Sequence, residues 1–174
     1  LPTVLSAVAD AGAGDVVGVA NDNAPGQVVI SGHVAAVERA IELLKAAGAK
    51  RALPLPVSAP FHCALMRPAA DAMEAALAAV DMRAPAVPLV ANVLARPISE
   101  PDEIRARLVE QVTGMVRWTE SVQWLTGEGG VTELVELGSG KVLTGLARRI
   151  APDATATAAG TPAEVEALLA AFAA

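Results

Sequence analysis

Asp15-Val-Val-Gly-Val-Ala20 and Gln27-Val-Val-Ile-Ser31, joined by Asn21-Asp-Asn-Ala-Pro25-Gly26, are the stretch on which the fold turns. Both runs are rich in Val and Ile, whose branched side chains favour extended backbone, and the segment between them is turn chemistry. Two adjacent strands are predicted. Upstream, Leu1, Val4, Leu5 and Val8 recur at helical spacing until Ala11-Gly-Ala-Gly14 interrupts the pattern. Downstream, Val34, Val37, Ile41 and Leu44 mark a second helix ended by Gly48. Arg51 to Ser58 then reads as a further extended segment, which Pro54 and Pro56 confine to an edge or an irregular strand. The order helix, strand, strand, helix, strand is a ferredoxin-like unit without its first strand, which would lie before Leu1.

A different module begins after Pro60. Met66, Met73, Leu77 and Val80 predict a helix ending near Asp81, and Val87 to Val93 reads as a buried strand. Ile104, Leu108 and Val112 mark one helix and Trp118, Val122 and Leu125 another, followed by strand Thr132 to Leu137 and helix Lys141 to Ile150. In the last helix Thr161 and Glu164 form a capping box, Pro162 takes the first helical position, and Val165, Leu168, Leu169 and Phe172 line one face. Alternation of helix and strand favours an α/β layer with a largely parallel sheet, thin unless other strands complete it.

Composition narrows the function. With 53% hydrophobic residues in 174, the chain can bury an ordinary core, and no window has the roughly 18 uncharged apolar residues of a membrane span. A net charge of −6, with no basic cluster denser than Arg148-Arg149, argues against nucleic acid as a partner. The single cysteine, Cys63, rules out an internal disulfide framework and suits a reducing cytosol, so a cytoplasmic location is expected. The chain opens at Leu1 with neither an initiator Met nor a signal peptide, and is expected to be a piece of something longer.

Two histidines are available for chemistry. His33 reads as a helix-start residue without ligand partners, whereas His62 follows the proline-rich run Pro54-Leu-Pro-Val-Ser-Ala-Pro-Phe61, which delivers its imidazole rigidly to the start of a helix. From spacing alone His62 is either a partly buried capping residue or a chemical group. Four stretches decide between these by resemblance: Asn21 to Gly32; Ala46 to Ser58; His62-Cys-Ala-Leu-Met66 with Pro68-Ala-Ala-Asp71; and Glu136-Leu-Gly-Ser-Gly-Lys-Val-Leu-Thr-Gly-Leu146. In order and without large gaps over Leu1 to Ile150, they resemble bacterial malonyl-CoA:acyl carrier protein transacylases.

The resemblance implies a large α/β-hydrolase-like acyltransferase subdomain with a ferredoxin-like insert, here residues 1–58 as the insert and 59–174 as the carboxy-terminal part of the large subdomain. It implies that His62 is the general base of a serine nucleophile, and that the backbone carbonyl of Gln111 accepts the second ring N–H, in place of a triad carboxylate. The nucleophile would sit in a Gly-x-Ser-x-Gly elbow, yet none of Ser6, Ser31, Ser58, Ser99, Ser121 and Ser139 has glycine at both second neighbours. The arginine that pairs with the malonyl carboxylate would also precede Leu1.

Four residues are candidates for substrate contact, each with an ordinary alternative. Asn21 and Asn23 present amides to the acyl or pantetheine group, or simply make a turn. Asn92 faces the ligand crevice at a strand end, or terminates that strand. Phe61 narrows the acyl pocket against an α-methyl group, a preference of about 1–3 kcal/mol, or is a core aromatic. Cys63 is expected to be a buried apolar residue, since neighbours on a helix point about 100° apart and a Cys-His pair would not form. Gly138-Ser-Gly-Lys141 is expected to be a strand-to-helix turn rather than a phosphate loop.

The expected activity is therefore transfer of malonyl from malonyl-CoA to the pantetheine thiol of acyl carrier protein, with the coenzyme A thioester as substrate and no metal or redox cofactor. Partners are malonyl-CoA, acyl carrier protein and the upstream half of the same enzyme. Two rival readings are the acyltransferase domain of a polyketide or fatty-acid megasynthase, and a non-catalytic acyl carrier protein or coenzyme A binding module.

Overall fold

The computed structural model describes residues 1–173. Ala174, the last residue of the expected second segment, lies outside the described residues. The chain is mixed α/β and divides into two compact units, Leu1–Ser121 and Val122–Ala174, a division that falls inside one helix.

The first unit begins with helix α1 (Pro2–Gly12), strands β1 (Val17–Ala24) and β2 (Gln27–Gly32), and helix α2 (Val34–Ala46). Pro2 occupies the first turn of α1, where its missing N–H costs nothing. The strands pair antiparallel from Val17 opposite Gly32 to Ala24 opposite Gln27, with two irregularities in register. Gly26, at φ +77, supplies the left-handed turn residue after Pro25. The two helices pack on each other, burying Ala7, Val8 and Ala11 of α1 and Ala36, Ala40, Ile41 and Leu44 of α2; of the apolar residues that predicted these helices only Val8, Ile41 and Leu44 are buried, while Leu1, Leu5 and Val34 are exposed.

The expected strand over Arg51 to Ser58 does not form; among the described residues the segment joins no sheet, and Val57 N–H donates to Leu55 O at 2.8 Å in a tight turn at Pro56. Pro54 and Pro56 cannot donate to a ladder. Leu53, Leu55 and Val57 consequently stand 58%, 56% and 61% exposed.

Beyond the proline-rich segment come a 3₁₀ turn (Ala64–Met66) and helices α3 (Arg67–Ala78), α4 (Pro101–Thr113) and α5 (Trp118–Thr126). The strand expected over Val87 to Val93 is shorter, β3 (Leu89–Ala91), and joins no parallel sheet. It pairs antiparallel with β4 (Arg96–Ile98), an element hidden from sequence because Pro97 sits in its middle, tolerated only because both strands are edges. Ala91, Ile98 and Ile104 form a buried cluster flanked by Met82 and Leu94. Burying each isoleucine there contributes about 1.5–3 kcal/mol.

The second unit contains β5 (Glu133–Leu137), α6 (Val142–Ile150), β6 (Thr155–Ala159) and α7 (Pro162–Phe172). β5 and β6 are parallel, Glu133 opposite Thr155 through Leu137 opposite Ala159. β6 reads Thr-Ala-Thr-Ala-Ala and gives no hydrophobic signal, so only its partner reveals it. The capping box of α7 forms as predicted, with Thr161 Oγ1 accepting from Glu164 N–H and Glu164 accepting from Thr161 N–H at 2.9 Å. The predicted apolar face of that helix is not buried: Leu169 is 62% and Phe172 58% exposed. No helix among the described residues is long and apolar enough to cross a membrane.

Gly32 shows how tightly the first unit is drawn together. His33 N–H donates to Val16 O at 2.8 Å and its Nδ1 accepts from Val16 N–H at 3.1 Å, pulling the start of α2 onto the start of β1. A Cβ on Gly32 would stand 2.2 Å from Val16 O and 2.6 Å from Val17 Cα, both backbone atoms that cannot move aside, whereas one on Gly18 would meet nothing within 4 Å. Gly32→Ala is expected to lower unfolding free energy by about 1–3 kcal/mol, well beyond the effect of Gly18→Ala. Urea denaturation of both variants checks this, and equal midpoints would contradict it.

Candidate active site

His62 lies in the turn that ends the proline-rich segment, with φ +58, a left-handed conformation rare for any side chain but glycine. Holding it there costs about 1–2 kcal/mol, offset by local bonds. Phe61 N–H donates to Ala59 O at 3.0 Å, Cys63 Sγ–H to Pro60 O at 3.1 Å, and Met66 N–H to Cys63 O at 3.0 Å. Cys63 is buried and spent on this turn, not paired with the imidazole.

Among the described residues the His62 ring has one partner: Nδ1 lies 3.0 Å from the backbone carbonyl oxygen of Gln111. A carbonyl only accepts, so Nδ1 carries a proton, and in the neutral ring the lone pair is on Nε2. Gln111 O is available because α4 ends at Thr113 with Gly114 extended (φ −95, ψ 153), leaving the Gln111 carbonyl without a helical donor. The structure thus brings together residues 49 apart in sequence.

The segment after Gly114 ties the remaining candidates to this pair. Val116 pairs with β1, its N–H donating to Ala20 O at 2.8 Å and its O accepting from Asp22 N–H at 2.9 Å. Thr119 Oγ1–H adds a bond to Asp22 O at 3.1 Å. Arg117 N–H donates to Asn92 O at 2.9 Å and its Nη1 to Leu94 O at 3.0 Å, while Glu120 binds the same guanidinium and holds it charged, above its usual value. Buried Ala20, Asp22 and Ala24 alternate with half-buried Asn21 and Asn23, so the two amides share the opposite face of β1. Neither they nor the Asn92 amide make a side-chain hydrogen bond among the described residues. Asn92 stands one residue beyond β3, in the turn to β4 rather than within a strand. Phe61 is 49% exposed, which excludes a core role within this chain.

Three buried polar atoms have no partner among the described residues: Arg107 Nε, Gln111 Oε1 and Trp118 Nε1. No group of three or more potential metal ligands occurs there either.

The chain is 50% identical over 167 residues to the malonyl CoA-acyl carrier protein transacylase of Escherichia coli (strain K12), covering 96% of this chain and 54% of that protein. Its fold matches the acyl carrier protein S-malonyltransferase of Vibrio cholerae with a TM-score of 0.91 at 47% identity, over 96% of this chain and 54% of the other. By sequence and fold, the chain is similar to malonyl CoA-acyl carrier protein transacylases. It spans about half the length of those relatives. A third likeness, TM-score 0.92 at 44% identity over 98% of this chain and 55% of the other, is to a malonyl-transacylase solved with its type II polyketide acyl-carrier protein. No protein-family model matches the chain.

Two residues with structural roles in this chain have little signal in the sequence. Arg117 anchors the Asn92 turn, and the only hint of it was Glu120 at helical spacing. Glu136 closes the amino terminus of α6, its carboxylate accepting from Thr144 N–H and Oγ1–H at 2.7 Å each and from Leu143 N–H at 3.1 Å. Those donors are therefore occupied, and Gly138-Ser-Gly-Lys141 makes the expected strand-to-helix turn, with Gly138 at φ +136 and Gly140 at φ +94.

The amide and hydroxyl of Thr144, with the amide of Leu143, hold the Glu136 carboxyl below its ordinary 4.5. A depressed carboxyl adds stability above its unfolded value and loses it as pH falls through the folded value. Glu136→Gln is expected to lower the thermal midpoint at pH 7, and the gap to the parent chain should close as pH drops below 4.5. Calorimetry across pH 3 to 7 reads this; a gap independent of pH would sink it.

Proposed function

We propose that this chain is the carboxy-terminal half of a malonyl-CoA:acyl carrier protein transacylase and supplies the general base of its ping-pong reaction. The carrying observation is the 3.0 Å approach of His62 Nδ1 to Gln111 O, which leaves Nε2 free to take a proton. Within this reading residues 1–58 are a ferredoxin-like insert and 59–174 the carboxy-terminal part of an α/β-hydrolase-like acyltransferase subdomain, in the cytoplasm.

The first half-reaction begins when a serine hydroxyl from the remainder of the enzyme attacks the thioester carbonyl of malonyl-CoA while His62 Nε2 accepts its proton. Collapse of the tetrahedral adduct breaks the C–S bond, and the same proton passes to the departing coenzyme A sulfur. In the second half-reaction Nε2 removes the proton of the pantetheine thiol of acyl carrier protein. The thiolate takes the malonyl group, and the serine oxygen recovers the proton. Gln111 O keeps the ring in one tautomer throughout and adds no full charge. Asn21, Asn23 and Asn92 offer amides to the acyl and pantetheine groups, and Phe61 borders the acyl site once the rest of the enzyme covers it. The cycle calls for no metal or redox cofactor.

None of the six serines here sits in a nucleophile elbow, so the 174-residue chain alone is expected to transfer no malonyl, and adding the upstream half should restore transfer. His62→Ala in the reconstituted enzyme should lower the rate about 10²-fold or more. Radiolabelled malonyl transfer to acyl carrier protein measures both; turnover by the chain alone, or an undiminished His62→Ala rate, would overturn the reading.

A further inference from the structure

The backbone carbonyl of Gln111 can meet His62 only because α4 stops where it does. Had the helix run one turn further, that carbonyl would accept the N–H of Met115 and turn along the helix axis. Two features end it. Gly114 leaves the helix, its N–H still bonded to Glu110 O at 2.9 Å, and it has no room for a side chain: a Cβ would stand 2.8 Å from Val93 Cγ2 and 3.0 Å from Glu110 O. The second is the Gln111 side chain, whose Nε2 reaches forward three residues and donates to Gly114 O at 2.9 Å.

That bond holds the peptide after Gly114 turned away from the helix, in the orientation that sends Val116 to β1. It is part-buried, so water is a poor substitute for it, and Oε1 of the same amide has no partner among the described residues. The amide is therefore held in place by its donor alone.

We propose that the Gln111 side chain is a positioning residue for His62: its Nε2–H bond to Gly114 O ends α4 and so aims the Gln111 carbonyl at the ring. This deepens the reading of His62 as the base. The residue would act twice, through its main chain on the imidazole and through its side chain on its own main chain.

Imidazole ¹H–¹⁵N correlation spectra of the full chain test the proposal without turnover, with His33 as internal reference. Failure here leaves the malonyl-transfer experiment standing, and failure there leaves this one readable. The parent chain should show His62 in the Nδ1–H form. Gln111→Met, which keeps the length and removes the donor, should lower the ratio of Nδ1–H to Nε2–H about fivefold, the value of one hydrogen bond. Gln111→Glu, acceptor-only at neutral pH, should do the same. A natively folded variant with unchanged His62 signals and altered thermal stability would show a merely structural role and overturn the proposal. In the unsubstituted chain the Gln111 side-chain amide protons should exchange with water at least about tenfold more slowly than those of exposed Gln123. Equal rates overturn the proposal whatever the variants do.

Discussion

The pairing of Val116 with β1 is the constraint on which the first unit depends. Two backbone bonds, from Val116 N–H to Ala20 O and from Asp22 N–H to Val116 O, fix where the chain goes after α4. Everything proposed for the site is referred to that point. Upstream lie Gly114 and the Gln111 carbonyl that meets His62; alongside lie Asn21 and Asn23; immediately downstream Arg117 grips the turn carrying Asn92. Because backbone pairing is indifferent to side chain, no residue-type signal in Gly114-Met-Val-Arg117 announces it.

Imidazole and carbonyl make a different device from a histidine backed by a carboxylate. An ionised carboxylate at Nδ1 would favour the protonated ring by direct charge attraction, whereas a carbonyl fixes the tautomer through a dipole. The cost is moved into the backbone, where His62 takes a left-handed conformation and α4 must end in register. Such strain persists only where the surroundings over-determine it, and here the Ala59 to Met66 turn bonds do so.

A second theme is surface left apolar. Leu53, Leu55 and Val57 along the proline-rich segment, Phe61 beside the histidine, and Leu169 and Phe172 on α7 are all exposed, and the chain matches only about half the length of its relatives. Arg107 Nε, Gln111 Oε1 and Trp118 Nε1 are buried without a partner among the described residues, and native interiors leave few polar groups in that state.

Sequence by itself determined the elements whose signals are local. Periodicity located α1 to α5, the Val-rich runs around Pro25-Gly26 located the first hairpin, and Thr161 with Glu164 defined the start of α7 to the residue. Family resemblance singled out His62 and Gln111, which no spacing rule would have paired. What only the tertiary structure decided was whatever depends on a partner. Arg51 to Ser58 has strand-like composition and no strand to join, while Thr155–Ala159 has none and becomes a strand because β5 lies beside it. Helix and turn propensities act within a few residues, but a ladder bond, a carbonyl freed by a helix end and the ring that meets it are contacts across tens of residues, and those exist only once the chain has folded.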